Sequence, residues 1–454
     1  MQTLIYNARV LTMDKEFTEY YPGYVLIEDD YILDVGLQEE LLPEWHQWVT
    51  ATGVKNKGIR LIDAQDGIVL PGLINAHTHV GMIPFRSLAD DVKDRLRRFL
   101  FPLEAQMSKE LVRASAQYAL AEMLLAGITT FADMYYFEDT IAQVTAEMGM
   151  RALLGETIIN HPTCDGDEEP FYGLKVAPKF IEKWQGNALI TPILAPHAPN
   201  TNSELTLTEI KRLSEYYEAP VMMHVAEMDY EMQYYADEFN MTPIEYLNKV
   251  GLLNNHLLAV HCIHLTEQDI HLIRENEVKV VHCIGANTKS AKGFMPLKQL
   301  LEAGVPVGLG TDGPSSGNTL DLFHQMRYIA YSHKTVNQDR SAFPAREIVQ
   351  LAINGGAEVL GLADKVGRLV PGYQADIIIV ETQSVNMFPV FDPYSVLVYS
   401  ANASNVSDVW VAGEHLVEDK QLKRYDLATI RKQLEANMTD FKAAVEKIEA
   451  QAKN

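Results

Sequence analysis

The chain has 454 residues, with 61 acidic against 38 basic side chains and a formal net charge of −23. That balance excludes the basic face that nucleic acids and anionic membranes require, and no run approaches the roughly 18 unbroken apolar residues of a membrane span. The three cysteines, Cys164, Cys262 and Cys283, make no paired spacing, which argues against a disulfide framework and predicts a reducing, cytoplasmic setting.

Residues 1–66 read as short strands, Thr3–Val10, Gly23–Glu28 and Tyr31–Val35, with Asp29-Asp30 as a hairpin turn. The first residues carry neither a basic segment nor a long apolar one, so no signal peptide is expected. Beyond residue 66 apolar strands alternate with amphipathic helices. Strands are predicted at 68–76, 128–134, 151–158, 189–196, 220–225, 257–262, 278–283 and 305–311. Helices are predicted at Ser108–Ala126, Ser203–Tyr217, Thr266–Glu275 and Pro296–Ala303, with Ser108 and Ser203 as N-caps and Gly127 and Gly304 as stops. Eight such alternations predict an α/β protein with a (β/α)8 barrel over 67–368.

After a helix near Arg346–Leu360, strand texture resumes at Gln374–Glu381, Val396–Ser400 and Val406–Ala412, the last turning into His415–Val417. The simplest arrangement joins 1–66 and 369–425 into one small composite β-sandwich domain. A C-terminal helix within 426–454, rich in Lys, Glu and Ala, packs outside it.

The chemistry concentrates at strand ends. In Pro71-Gly72-Leu73-Ile74-Asn75-Ala76-His77-Thr78-His79 the two histidines sit two residues apart and share a strand face. With 14 histidines in the chain, such a pair also arises by chance and needs company. His224 ends a second apolar strand, His261 a third and Asp312 a fourth. Metal-type ligands at the carboxyl ends of several strands suit a catalytic site on a parallel barrel. His77, His79, His224 and Asp312 make a three-imidazole, one-carboxylate set for one divalent ion, and such an ion lowers the pKa of a bound water towards about 7.

Glu227, three residues past His224, fits a proton carrier if the strand has bent by then; a surface carboxylate is the plain alternative. His261 fits a partner of the attacking water, or a rim histidine. Asp133, Glu156, His197 and His282 are further polar strand-end residues, and prolines stiffen the loop around His197. The fourth strand, Ile190–Ala195, has no lysine, which disfavours a carboxylated-lysine bridge and a two-metal site. Cys262 and Cys283 read as small buried apolar residues.

Pro71–His79, His224–Glu227, His261-Cys262-Ile263-His264-Leu265 and Gly310-Thr311-Asp312-Gly313-Pro314-Ser315-Ser316, with Asn318-Thr319-Leu320-Asp321, resemble the amidohydrolase superfamily. The branch most resembled is that of the S-adenosylhomocysteine/5′-methylthioadenosine deaminases and triazine chlorohydrolases. The resemblance implies a barrel with a composite β-sandwich and one metal per chain, zinc before iron or manganese. It implies His77, His79, His224 and Asp312 as ligands, with Asp312 also moving a proton from water to the leaving ammonia. Glu227 would protonate the ring nitrogen and His261 would steer the nucleophile. Glu104 and His197 align with a ribose-contacting pair, and Ser316 and Glu156 fall among the substrate-facing positions.

The implied reaction is hydrolytic deamination of an adenosine-type nucleoside, a small molecule, by a homo-oligomer. Other heterocycles (triazine, guanine, pterin, cytosine) stay open as substrates, as does a catalytically inactive barrel serving as a binding subunit. The chain departs from the pattern in three places. Asp94–Leu100 lacks the usual tryptophan. Glu156 stands where relatives that take S-adenosylhomocysteine have arginine. His282-Cys283-Ile284-Gly285-Ala286-Asn287-Thr288-Lys289 replaces a Pro- and Ser-containing run. These departures bear on substrate choice, and Glu156 predicts a preference for neutral-tailed nucleosides.

Overall fold

The computed structural model describes residues 2–41, 59–93, 95–166 and 169–452; Asp94 and parts of both predicted terminal segments lie outside them. In chain order the first strands are β1 (Gln2–Leu11), β2 (Glu19–Glu28), β3 (Tyr31–Leu37), β4 (Ile59–Asp63) and β5 (Ile68–Pro71). The next series is β6 (Leu73–Thr78), β7 (Ile128–Tyr135), β8 (Arg151–Ile158), β9 (Ile190–Pro192), β10 (Ala195–Pro196), β11 (Val221–Val225), β12 (Leu257–His261), β13 (Lys279–His282) and β14 (Val307–Leu309). The last are β15 (Ile377–Val380), β16 (Val406–Val411), β17 (Glu414–Glu418) and β18 (Gln421–Leu422).

Strands from both termini form one sheet, ordered β18-β17-β16-β15-β5-β1-β2-β3 with β4 beside β1. Period-2 alternation gives it two apolar faces. Ile5, Val25 and Ile27 join Trp410 and Ile377 on one face, while Leu4 and Leu26 join Tyr24 and Leu41 on the other. Asp29, at φ 51°, makes the predicted turn between β2 and β3, where Glu28 pairs with Tyr31.

β6 to β14 are the barrel. β6, β7, β8 and β10 pair in one curved sheet with β9 also on β8, and β11 to β14 pair in another. A parallel bridge from Leu194 to Val221 joins the two. The ring closes where the Asp312 N–H donates to the His77 carbonyl at 3.1 Å and the Asn75 and Thr311 side chains bond at 2.8 Å. β6, β7 and β8 are buried along their whole length, as strands covered on both faces must be. The fourth barrel strand is split into β9 and β10, each ending in a proline that cannot donate to the ladder. Ser203 caps the helix Glu204–Tyr217 by accepting from the Thr206 N–H, as expected.

By compactness the chain divides into two units. One holds 1–74, 123–130 and 321–424, and the other holds 75–122, 131–320 and 425–454. All the site residues described below belong to the second.

Two predicted elements are corrected. Val396–Ser400 is not a strand but part of the helix Pro393–Tyr399. Asp392 accepts from the Tyr394 and Ser395 N–H groups and Pro393 supplies a fixed φ at the first turn, so capping overrides the β-branched composition. The C-terminal helix is two, Leu427–Asn437 and Thr439–Ala452, divided at Met438. Phe441 is buried against Phe85, with ring centroids 4.9 Å apart.

Candidate active site

Three strand ends deliver the four predicted metal-type residues to one place. His77 and His79 leave β6 on the same face, His224 leaves β11, and Asp312 follows β14. The Nε2 atoms of His77 and His224 are 3.2 Å apart, and one donor atom from each of His77, His79 and His224 lies within 4.8 Å of the other two. Asp312 Oδ1 is 3.2 Å from His79 Nε2 and 3.8 Å from His77 Nε2. Gly310 leaves room for this approach, since a Cβ there would come within 3.0 Å of the His77 Cβ and 2.9 Å of the Cys283 Sγ.

Backbone carbonyls set the imidazole orientation. His79 Nδ1 donates to the Met134 carbonyl at 2.6 Å, and His224 Nδ1 donates to the His197 carbonyl at 2.7 Å. His77 Nδ1 lies 3.2 Å from the Met222 sulfur. Each ring therefore turns Nε2 towards the common point, as metal-binding histidines do when their other ring nitrogen is tied to a partner.

The electrostatics suit a cation there. Burial, then the neighbouring imidazoles, hold His77 and His224 well below the ordinary histidine value, so they are neutral. Burial also opposes a proton on His79, but the hydrogen bond and charge of Asp312 outweigh it and push His79 up to about 9. Burial works to raise Asp312, and the same pairing with His79 holds it well below the carboxylate range. A carboxylate and three Nε2 atoms whose only neutralising charge is one proton are a donor set that fits a divalent ion.

Beyond His224 the chain bends. Ala226 has φ 51°, a left-handed conformation that costs a non-glycine residue about 1–3 kcal/mol and clusters at functional sites. Glu231, buried, accepts from the Ala226 and Glu227 N–H groups, both at 2.9 Å, and holds the bend. Glu227 is thereby carried to the His261 side, with Oε1 3.5 Å from His261 Nε2. Lys292 Nζ donates to the same oxygen. His261 (φ 73°) and Asp312 (φ 58°) also leave their strands in the left-handed region, and His261 Nδ1 donates to Asn287 Oδ1 at 2.9 Å.

The model of the Amidohydrolase family matches residues 68–416. The chain belongs to the amidohydrolase family. It is 37% identical over 426 residues to a 5-methylthioadenosine/S-adenosylhomocysteine deaminase of Syntrophobacter fumaroxidans, covering 92% of this chain and 93% of that one. It is 36% identical over 427 residues to a 5′-deoxyadenosine deaminase of Methanosarcina mazei, covering 93% and 94%. Among solved structures, a zinc-bound adenosine deaminase from Xanthomonas campestris superposes with TM-score 0.91 at 31% identity, over 97% of this chain and 98% of that one. A zinc complex of atrazine chlorohydrolase from Arthrobacter aurescens shares the fold at TM-score 0.86 and 23% identity, over 96% of this chain and all of that one.

Within this amidohydrolase barrel the remaining predicted residues lie as follows. His197 bonds Thr201 Oγ1 through Nδ1 at 3.1 Å and stacks edge-on 5.0 Å from the His224 ring, and burial keeps it neutral by lowering its pKa to about 4. Glu104 is hydrogen-bonded by Tyr136, and burial pushes it up to about 7 against the pull of His79. Ser316 lies in the turn after Asp312, its N–H on the Gly313 carbonyl at 2.9 Å. The neighbouring Ser315 carbonyl accepts from Arg95 at 2.5 Å.

Glu156 accepts from the Glu138 N–H at 2.9 Å and sits beside Asp165. Burial, then Asp165, pushes it well above the carboxylate range. Glu138 is raised likewise by burial and by the neighbouring Asp133. Asp133 in turn accepts from the Val80 N–H at 2.7 Å. The predicted strand-end acids Asp133 and Glu156 thus belong to a buried carboxyl cluster with Glu138 and Asp165.

Lys292, Asn287 as partner of His261, Glu231 and Glu138 are site features that spacing alone did not single out. Cys262 and Cys283 are buried with their thiols pushed up by burial, and so are inert as expected. No helix of the described residues is long and apolar enough to cross a membrane.

Proposed function

We propose that this amidohydrolase deaminates an adenosine-type nucleoside, replacing the ring amino group by an oxo group and releasing ammonia. The observation that carries the reading is the pairing of a three-imidazole, one-carboxylate pocket with a glutamate and a histidine facing each other at 3.5 Å on the adjoining strand ends. A deaminase needs both halves, since it must activate water and must also protonate a ring nitrogen and a leaving amine. The deaminase names of relatives at 36–37% identity over more than nine-tenths of the chain support the same reaction.

His77, His79, His224 and Asp312 would hold one divalent ion per chain, zinc. When bound, the ion supplies the Lewis acidity that makes water a nucleophile near neutral pH. Glu227 takes the first proton of the attacking water and passes it to the ring nitrogen beside the attacked carbon as the C–O bond forms and the C=N π pair moves to that nitrogen. His261, held by Asn287, orients the water oxygen. Asp312 takes the remaining hydroxyl proton and gives it to the amino group as the C–N bond breaks, so water and the amine leave as the oxo product and ammonia. Glu104 and His197 grip the ribose, and Ser316 and Glu156 border the substrate. The working form is a cytoplasmic homo-oligomer.

The test is ammonia release from adenosine, 5′-deoxyadenosine, 5′-methylthioadenosine and S-adenosylhomocysteine by protein loaded with zinc, together with metal content. Turnover of at least one with about one ion per chain is expected. Inactivity on all four, or release of ammonia or chloride only from guanine, pterin or triazine compounds, overturns the adenosine reading.

A further inference from the structure

Glu227 is half-buried at the barrel mouth, where several other carboxyl groups are pushed up. Glu104, Glu138 and Glu156 are all pushed up, by burial first, to about 7 for Glu104 and well above the carboxylate range for the other two. Burial acts on Glu227 in the same direction, yet its pKa is lowered, because His261 and Lys292 oppose burial and win. The three raised groups face other carboxyls, tyrosine or His79. His261 and Lys292 together are the difference, and only Lys292 is a lysine or arginine.

Its placement is built rather than incidental. The helix Ile284–Lys289 ends in a turn in which Ala291 adopts φ 53° and the Lys292 N–H donates to the Asn287 carbonyl at 3.0 Å. The Asn287 side chain meanwhile accepts from His261 Nδ1. One asparagine therefore seats both groups that meet Glu227, and both meet the same oxygen, Oε1. That leaves Oε2 as the oxygen to exchange a proton with water and ring. Lys292 side chain is one-fifth exposed, with Asp312, Tyr230 and Glu227 the charged or titratable groups acting on it. Its counterpart Glu227 is faced by His261, Lys292 and His224.

We propose that Lys292 is a positioning residue of the reaction: it occupies Glu227 Oε1 and holds Glu227 as a carboxylate, so that the glutamate enters the cycle as a base and presents Oε2 to the water. The proton Glu227 then delivers to the ring is one taken from water, and Lys292 keeps its own. Its kinetic consequence rests on the deaminase reading; the pairing itself does not.

The experiment has two arms on full-length, zinc-loaded protein. In the first, kcat/KM is followed against pH for wild type, Lys292→Met, Lys292→Arg and Glu227→Gln. The acid limb should lie about 1 to 3 pH units higher in Lys292→Met than in wild type, and should return towards wild type in Lys292→Arg. An unmoved limb in an active Lys292→Met enzyme overturns the proposal. In the second arm, thermal melts of Lys292→Met, Glu227→Gln and the double variant are compared at pH 7. The double variant should lose less than the two single losses added, because removing both partners leaves no half-buried charge unpaired. Additive losses overturn the proposal even if no nucleoside is turned over. A non-additive cycle with no turnover of any nucleoside counts against the deaminase reading and leaves the pairing standing.

Discussion

Two walls of the barrel mouth use the same residue type to opposite ends. On the β11–β13 side, Glu227 is half-buried with a lysine and a histidine on one oxygen and is held ionised. On the β7–β8 side, Asp133, Glu138, Glu156 and Asp165 are packed among themselves, and burial keeps Glu138 and Glu156 protonated. A carboxyl taken out of water loses its charge unless a cation comes with it. The first wall is thus equipped to move protons. On the second, Glu138 and Glu156 are neutral hydrogen-bonding groups that become charged only at a cost to the fold.

The largest break in this comparison comes from removing what both walls flank. His77→Ala or His224→Ala deletes an Nε2 from the cluster of donors within 4.8 Å. Each should lose zinc and activity together, while far-ultraviolet circular dichroism keeps its barrel signature. Retained stoichiometric zinc in either variant breaks the proposed ligand set. Next in size is Glu227→Gln, which keeps shape and hydrogen bonding but carries no proton. Turnover should fall about 100-fold or more with zinc content unchanged, and near-normal turnover would remove Glu227 from the chemistry.

The acid wall bears on selectivity. A substrate carboxylate brought to Glu156 and Glu138 meets groups that can offer it hydrogen bonds but no positive charge, where an arginine would have offered a bidentate fork. Wild type should therefore favour 5′-methylthioadenosine or 5′-deoxyadenosine over S-adenosylhomocysteine by about tenfold in kcat/KM, near 1.4 kcal/mol. Glu156→Arg should narrow that ratio. If S-adenosylhomocysteine is the best wild-type substrate, the wall does not set tail preference.

The difference between the walls also explains what could be read without coordinates. The clustering of His77, His79, His224 and Asp312 is legible because a strand fixes its side chains by a two-residue period and these residues close apolar runs. The barrel strands are legible as unbroken apolar runs, since both of their faces are covered. Val396–Ser400 was misread because β-branched residues suit a buried helix face as well as a strand, and the Asp392-Pro393 cap decides between them. Glu227 reaches its partners through the left-handed Ala226, a conformation no alanine advertises. Lys292 lies 65 residues from Glu227, and the acid wall exists only once β7 and β8 pair. Contacts of this kind belong to the folded topology and leave no local signature.

The smallest expected effect is the cleanest test of the second wall's protonation. Glu138 is fully buried and its pKa is raised, by burial first and then by Asp133 and Glu156. In the unfolded chain it titrates near the ordinary value of 4.5. Between that value and its folded pKa, the folded state holds a proton that the unfolded state has released. Stability is then complete below about pH 4.5 and falls as pH rises, by about 1.4 kcal/mol per pH unit for one such group. Glutamine at 138 cannot ionise, and its amide still neighbours Asp133. Glu138→Gln should therefore melt with wild type or slightly below it at pH 5 and about 2 °C or more above it at pH 8. The sign matters more than the size: had Glu138 been a paired carboxylate like Glu227, the substitution would cost stability at pH 8 instead. A melting difference that stays constant from pH 5 to pH 8 would mean the wall is not held protonated, and the contrast with Glu227 would have to be drawn from Lys292 alone.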